Sequence, residues 1–242
     1  MSKTDNDFER SAKRIHRFLR TDRRYDEAHL PAPFIIEFTG SPSSGKTTTI
    51  TELDKFLRRH DFRVLRPQEG AEVIRHIPRT TPLYNIRTGL YALSHLIDFA
   101  HGHMYDVVIF DRAIFDTYAW MLYWKQKGLL AEDECARNQA FFLSRFWTDR
   151  ITACFVMVCD PKEAMERELK IALSDKLGET SNPDTMRALA ERYRTLHKDL
   201  SGDFSQLVLI DTTTVGEADM VKQVAATTLA MIEASITRRS AP

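Results

Sequence analysis

The chain has 242 residues, and its 34 Lys+Arg balance 34 Asp+Glu to a formal net charge of zero. For the chain as a whole, that excludes a nucleic-acid binder that works by neutralising many phosphates, which needs a clear basic excess. Ordinary hydrophobic and aromatic content excludes disorder, no apolar run approaches a membrane span, and the first ten residues lack a secretory leader's apolar stretch. Three cysteines (Cys135, Cys154, Cys159) are too few for a disulfide framework, and Cys154 and Cys159 lie in or beside an apolar run, as reduced core thiols do. The expectation is a cytoplasmic protein with no membrane association.

Residues 1–32 are expected to form a basic amphipathic extension. Phe8, Ala12, Ile15 and Leu19 recur at helical spacing, and residues 10–24 carry seven basic side chains against the single acid Asp22. The rest of the chain therefore holds 27 basic and 33 acidic residues, so zero net charge is a cancellation. The favoured reading of the extension is a solvated helix packed on the domain. If nucleic acid binds at all, it binds through this 10–24 arm.

Residues 33–242 read as one α/β domain. Five apolar runs, at 34–38, 62–65, 105–110, 151–158 and 206–210, are rich in β-branched and aromatic residues and alternate with stretches of helical period. Near-continuous apolar strands alternating with helices predict a five-stranded parallel sheet covered by helices on both faces. Helices are predicted near 46–59, 84–101, 113–127, 131–149, 161–173, 184–200 and 215–237, with start signals such as Asp160-Pro161 and Asn182-Pro183. The polar connection inside 168–184 reads as a lid.

Gly40-Ser41-Pro42-Ser43-Ser44-Gly45-Lys46-Thr47 fits G-x-x-x-x-G-K-[ST] between a predicted strand and a predicted helix. Composition alone would produce the pattern about 0.002 times in a chain of this length, before that context is demanded. Its glycines let backbone N–H groups curl round a phosphate chain at a helix N-terminus, and Thr48 continues the cradle. Lys46 would place its charge on the β- and γ-phosphates of ATP, with no packing role, and Thr47 would ligate Mg²⁺. The run Val107–Phe110 ends in Asp111-Arg112. Asp111, at the C-terminal end of a strand, suits the Mg²⁺ shell opposite Thr47; its alternative role is to cap the next helix. Arg112 supplies a fixed cation where an ATPase that activates water often carries a second acid, which suits transfer to a bound acceptor. The aromatic set Tyr118, Trp120, Tyr123 and Trp124 reads as core, and His95, Asp98, His101 and His103 lack metal-ligand spacing.

Asp111-Arg112-x-x-x-Asp116-x-x-Ala119-Trp120 resembles the D-R-x-x-x-[SD]-x-x-A-[YF] stretch of thymidylate kinases and related nucleoside and nucleotide kinases. Pro67-Gln68-Glu69-Gly70, Asp160-Pro161 with Arg167, and Glu191-Arg192-Tyr193 fall in the same order as that family's substrate-side, pre-lid and post-lid segments. The resemblance spans about residues 33–235. It departs in the lid, which offers Lys170 and Lys176 but no arginine cluster. It implies the P-loop NTPase fold and transfer of the ATP γ-phosphate to a nucleoside or nucleoside monophosphate, with Glu69 near the acceptor hydroxyl or phosphate, as general base if the acceptor is a nucleoside, and Arg167 touching the donor. It places Arg75, Arg79 and Arg87 on the roof of the acceptor pocket and leaves a homodimer open. Two alternatives stand beside it: an NTP-hydrolysing regulator without a small acceptor, and a kinase of polynucleotide ends.

Overall fold

The computed structural model describes residues 3–22, 33–100, 104–171 and 182–239. Five parallel strands form one sheet in the order β2-β3-β1-β4-β5: β1 (Phe34–Gly40), β2 (Val64–Leu65), β3 (Val107–Asp111), β4 (Ile151–Val158) and β5 (Leu207–Asp211). The sheet is the expected one, and its order puts β1 between β3 and β4. The crevice beyond the C-terminal ends of these strands is where such sheets bind ligands.

Alternation along the strands builds two cores. Ile35, Val108, Phe110, Cys154 and Val156 pack under α4 (Pro82–Phe99), α5 (Ile114–Gln126), α6 (Glu132–Phe142) and α9 (Pro183–Leu200). Phe34, Ile36, Phe38, Ile109, Phe155 and Met157 face α1 (Lys3–Asp22), α2 (Lys46–Arg59) and α10 (Glu217–Arg239). With period-two side chains and helices on both faces, every strand is apolar on both sides, which is why the runs read as continuous.

The described part of the basic extension, Lys3–Asp22, is helical, and its Ala12 and Ile15 are buried in the second core while Phe8 packs at its edge. Ser11 and Arg14 both donate to Glu233 of α10. The side chains of Leu19, Arg20, Arg23 and Arg24 lie outside the described set.

Two short helices complete the fold, α3 (Gly70–Val73) and α7 (Arg145–Thr148), followed by α8 (Pro161–Ile171) after β4. One expected helix, 131–149, is broken. Ser144 takes an extended conformation and its hydroxyl accepts from the Phe146 N–H, so it caps α7 instead of continuing α6. Gly89 lets α4 lie close on α5: a Cβ there would sit 2.5 Å from the Thr117 hydroxyl and 2.9 Å from the Phe142 ring. The lid residues 172–181, Lys176 among them, lie outside the described residues, as do His101 and His103.

Candidate functional site

The phosphate loop joins β1 to α2. Gly40 has φ 142°, and a Cβ at that position would meet the Met157 carbonyl oxygen at 1.8 Å, so only glycine fits between β1 and β4. Gly45, at φ 86°, is the left-handed residue from which α2 starts. Between them the Ser44 hydroxyl donates to the Ser41 carbonyl at 2.8 Å, and the Ser41 N–H donates to the Met157 carbonyl at 2.9 Å. The Ser43 hydroxyl instead donates to Glu168 of α8.

Lys46 does more than the sequence reading allowed. Its Nζ is buried and donates to the Gly40 and Ser41 carbonyls at 3.0 and 2.7 Å, so the ammonium ties the loop together and does have a packing role. Burial, reinforced by the nearby Arg112 cation, pushes this lysine down to about 7. A polyanion at the loop would reverse that shift.

A cavity of about 780 Å³ opens at the loop, lined by Ser43 to Thr48, by Glu163, Arg167 and Lys170 of α8, and by Thr213 to Glu217 and Met220. Gly40, Ser41 and Pro42, also expected in the cradle, are not among its lining residues. Arg167 is fixed over the loop, donating through Nη2 to the Thr212 carbonyl at 2.7 Å and through Nε to Glu163 at 3.0 Å. The 213–217 wall was not anticipated from sequence; the Thr-Thr-Thr-Val-Gly run after β5 was legible only as a helix start.

Asp111 ends β3 level with Phe38 of β1. Its alternative role disappears, because α5 opens on Ala113 without a side-chain cap and its amides are held by Glu37 instead. Glu37 Oε1 accepts from the N–H groups of Ala113 and Asp116 at 3.0 Å each, and Oε2 from that of Phe115 at 3.2 Å. The residue is fully buried. Burial raises its carboxyl to about 7 against the pull of the three amides. Sequence reading missed Glu37, although an acid inside the run Phe34-Ile-Ile-Glu-Phe38 was the available signal.

With α5 anchored, Asp116 becomes the hub of a polar cluster. Its Oδ1 accepts from Tyr193 Oη at 2.7 Å, from Arg112 Nη1 at 3.1 Å and from the Thr39 hydroxyl. Arg112 also pairs through Nε with the Glu69 carboxylate at 3.2 Å and donates through Nη1 to Tyr193 Oη at 2.9 Å. Its backbone sits at φ 65°, a left-handed strain of the kind concentrated at functional sites. The guanidinium is thereby held in one pose. Glu69 is half-buried, and its carboxyl is raised by burial against the opposing Arg112 charge.

A second cavity of about 160 Å³ is lined by Glu69, Arg112 and Asp116 at one end and by Arg79, Tyr84, Asn85, Thr88 and Trp120 elsewhere. Of the three arginines expected on its roof, only Arg79 lines it. Arg75 is exposed and donates to the Glu72 carbonyl. The aromatic helix divides its labour: Tyr123 and Trp124 are core, whereas Trp120 forms part of the cavity wall.

The residues suited to Mg²⁺ are Thr47, which lines the first cavity, and Asp111. An oxygen donor set with few protein ligands fits this ion, which keeps several waters. Among the described residues no cluster of three or more His, Cys, Asp or Glu could hold a metal alone, and no helix is long and apolar enough to cross a membrane.

Among curated proteins none matches the chain. A family model described as an AAA domain matches residues 35–168, from β1 to α8, and so includes the phosphate loop, Glu37, Asp111, Arg112 and Arg167. The match covers more than half of the chain and agrees with the parallel sheet and the loop geometry: the protein belongs to the AAA domain family of P-loop NTPases.

Proposed function

We propose that the protein is an ATP-dependent phosphotransferase that moves the γ-phosphate to a small acceptor, a nucleoside or nucleoside monophosphate. The observation that carries this reading is the pairing of two cavities at Lys46. The lysine lines the larger one, and the charges that act on it are those of Arg112, Asp111, Asp116 and Glu69, three of which line the smaller. A hydrolase acting on water has no need of a second, side-chain-built cavity at the phosphate end.

In this reading ATP lies in the larger cavity. Its phosphates rest on the amides of residues 44–48, and Arg167 and Lys170 stand over them. Thr47 and Asp111 would hold Mg²⁺, which would neutralise charge on the phosphate oxygens. The acceptor oxygen, a nucleoside hydroxyl or a monophosphate oxygen, attacks the γ-phosphorus as the bond to the β–γ bridging oxygen breaks. A hydroxyl's proton passes to the Glu69 carboxylate, and ADP leaves. Arg112, pinned by Glu69, Asp116 and Tyr193, offers its remaining donor face to the transferring group without a reorganisation cost.

The AAA domain description favours a second reading, an NTP-driven regulator that hydrolyses without a small acceptor. Measuring ATP turnover with and without a panel of nucleosides and monophosphates separates the two. Stimulation with phosphorylated product supports the kinase, and hydrolysis indifferent to every acceptor supports the regulator. A polynucleotide-end kinase would require the basic arm to grip a backbone. Its test is the salt dependence of DNA or RNA binding after substitution of Arg10 and Lys13, since deleting the arm would also remove the buried Ala12 and Ile15.

A further inference from the structure

The smaller cavity runs along α5. Asp116, Trp120 and Trp124 lie at successive four-residue steps, so Trp120 stands about 6 Å and Trp124 about 12 Å along the helix from the charged end. Asn85 of α4 meets α5 at that far end. Its Oδ1 accepts from Trp124 Nε1 at 2.8 Å, and an indole nitrogen can only donate. The contact therefore fixes which way the amide points: the oxygen is spent on Trp124, and the NH₂ is what remains. Asn85 is only 5% exposed and lines the cavity, and no described residue accepts from that NH₂.

The adjacent residue repeats the pattern. Tyr84 is 6% exposed, lines the same cavity, and its hydroxyl is buried with no hydrogen-bond partner among the described residues. A buried hydroxyl without a partner is rare in folded proteins, and with the Asn85 NH₂ on the same cavity wall it points to a ligand that completes both. The Thr88 hydroxyl, a turn away, is already spent on the Asn85 carbonyl. Trp120 completes the wall with a flat aromatic surface that stacks on Trp124 at 6.1 Å and 28°.

We infer that Asn85 and Tyr84 are specificity-determining residues that present donors to a carbonyl oxygen on a planar acceptor ring, so that oxo-bearing rings are selected over their amino counterparts. An exocyclic amine would bring a donor against the Asn85 NH₂, leaving both without a partner, whereas a carbonyl accepts from it. A site built around a hydrogen bond rejects the mismatched analogue far more strongly than a merely apolar pocket does. The inference rests on the phosphotransferase reading and goes beyond it by naming the chemistry of the acceptor's ring.

The test compares matched pairs as acceptors with ATP: uridine against cytidine and inosine against adenosine, each also as the 5′-monophosphate. The 4-oxo and 6-oxo members should be used with kcat/KM about 10- to 100-fold higher. Asn85→Asp keeps an oxygen for Trp124 and replaces the NH₂ with an acceptor, so it should reduce the ratio to near one or invert it. Binding of an ATP analogue to that variant should match wild type, since the donor cavity is untouched. Tyr84→Phe, a milder change, should lower use of the oxo acceptors 3- to 10-fold and so tests the site even where Asn85→Asp fails to fold. Equal use of both members of each pair overturns the inference while leaving phosphotransfer in place. Transfer to none of the eight compounds, with ATP hydrolysis intact, overturns the phosphotransferase reading and the inference with it.

Discussion

Replacing Glu37 with glutamine probes the anchor on which the acceptor side of the site depends. The carboxylate satisfies three amide groups at the start of α5. Glutamine keeps one accepting oxygen, which can serve the pair now on Oε1, and turns an NH₂ toward the third amide. Against the ionised wild-type residue, above pH 7, one buried N–H and one buried NH₂ are then unpaired, at about 1–3 kcal/mol each, so a loss of about 3 kcal/mol is expected there. For a chain of this size that corresponds to a fall in Tm of about 6–12 °C, readable by calorimetry or by urea unfolding followed through circular dichroism.

The loss should also depend on pH. Glu37 is raised to about 7 in the folded state, from 4.5. Between those values the native state binds the extra proton, so wild-type stability is fully developed below pH 4.5 and declines as pH rises through 7. The span is worth about 3 kcal/mol at most. The glutamine variant lacks this slope, so the gap between the two proteins should narrow from pH 5 to pH 8. A Glu37→Gln protein within 0.5 kcal/mol of wild type, or a constant gap across that range, would refute the assignment of this residue as the cap of α5.

Four further outcomes follow from the geometry. Lys46→Ala should abolish ATP binding while shifting Tm by only a few degrees, because the lost bonds to the loop carbonyls are offset by removal of a buried ammonium. In wild type, ATP binding at pH 8 should take up a proton as the triphosphate restores the charge on Lys46, seen as a calorimetric heat that varies with the ionisation enthalpy of the buffer. Gly40→Ala places a Cβ against the Met157 carbonyl at 1.8 Å and should cost more than 3 kcal/mol along with nucleotide binding, measured by thermal shift with and without ATP. Arg112→Lys keeps the charge but cannot serve Glu69, Asp116 and Tyr193 together; kcat should fall by about 10²-fold at little cost to ATP affinity, whereas an equal change in both would contradict its role at the transferring group.

The parts of this molecule legible in the sequence were those set by local pattern. Doubly covered parallel strands leave uninterrupted apolar runs, and a phosphate loop leaves a fixed spacing of glycines, lysine and threonine, so the sheet and residues 40–48 could be read directly. What could not be read depends on contacts between distant segments. Glu37 and the amides of Ala113, Phe115 and Asp116 lie more than 70 positions apart, as do Tyr193 and Asp116, and no periodicity reports such pairs. The helix break at Ser144 turned on a hydroxyl that competes with the helix for its own backbone. Arg75, Arg79 and Arg87 illustrate a third limit: the family resemblance placed all three near one cavity, but only the fold decides which side chain reaches it.

The most direct measurement of the central claim is product analysis after incubating the protein with ATP, Mg²⁺ and a panel of nucleosides and nucleoside monophosphates. Formation of ADP together with an equal amount of phosphorylated acceptor, lost in Lys46→Ala, is the predicted result. Release of ADP with inorganic phosphate at a rate that no acceptor changes would contradict it.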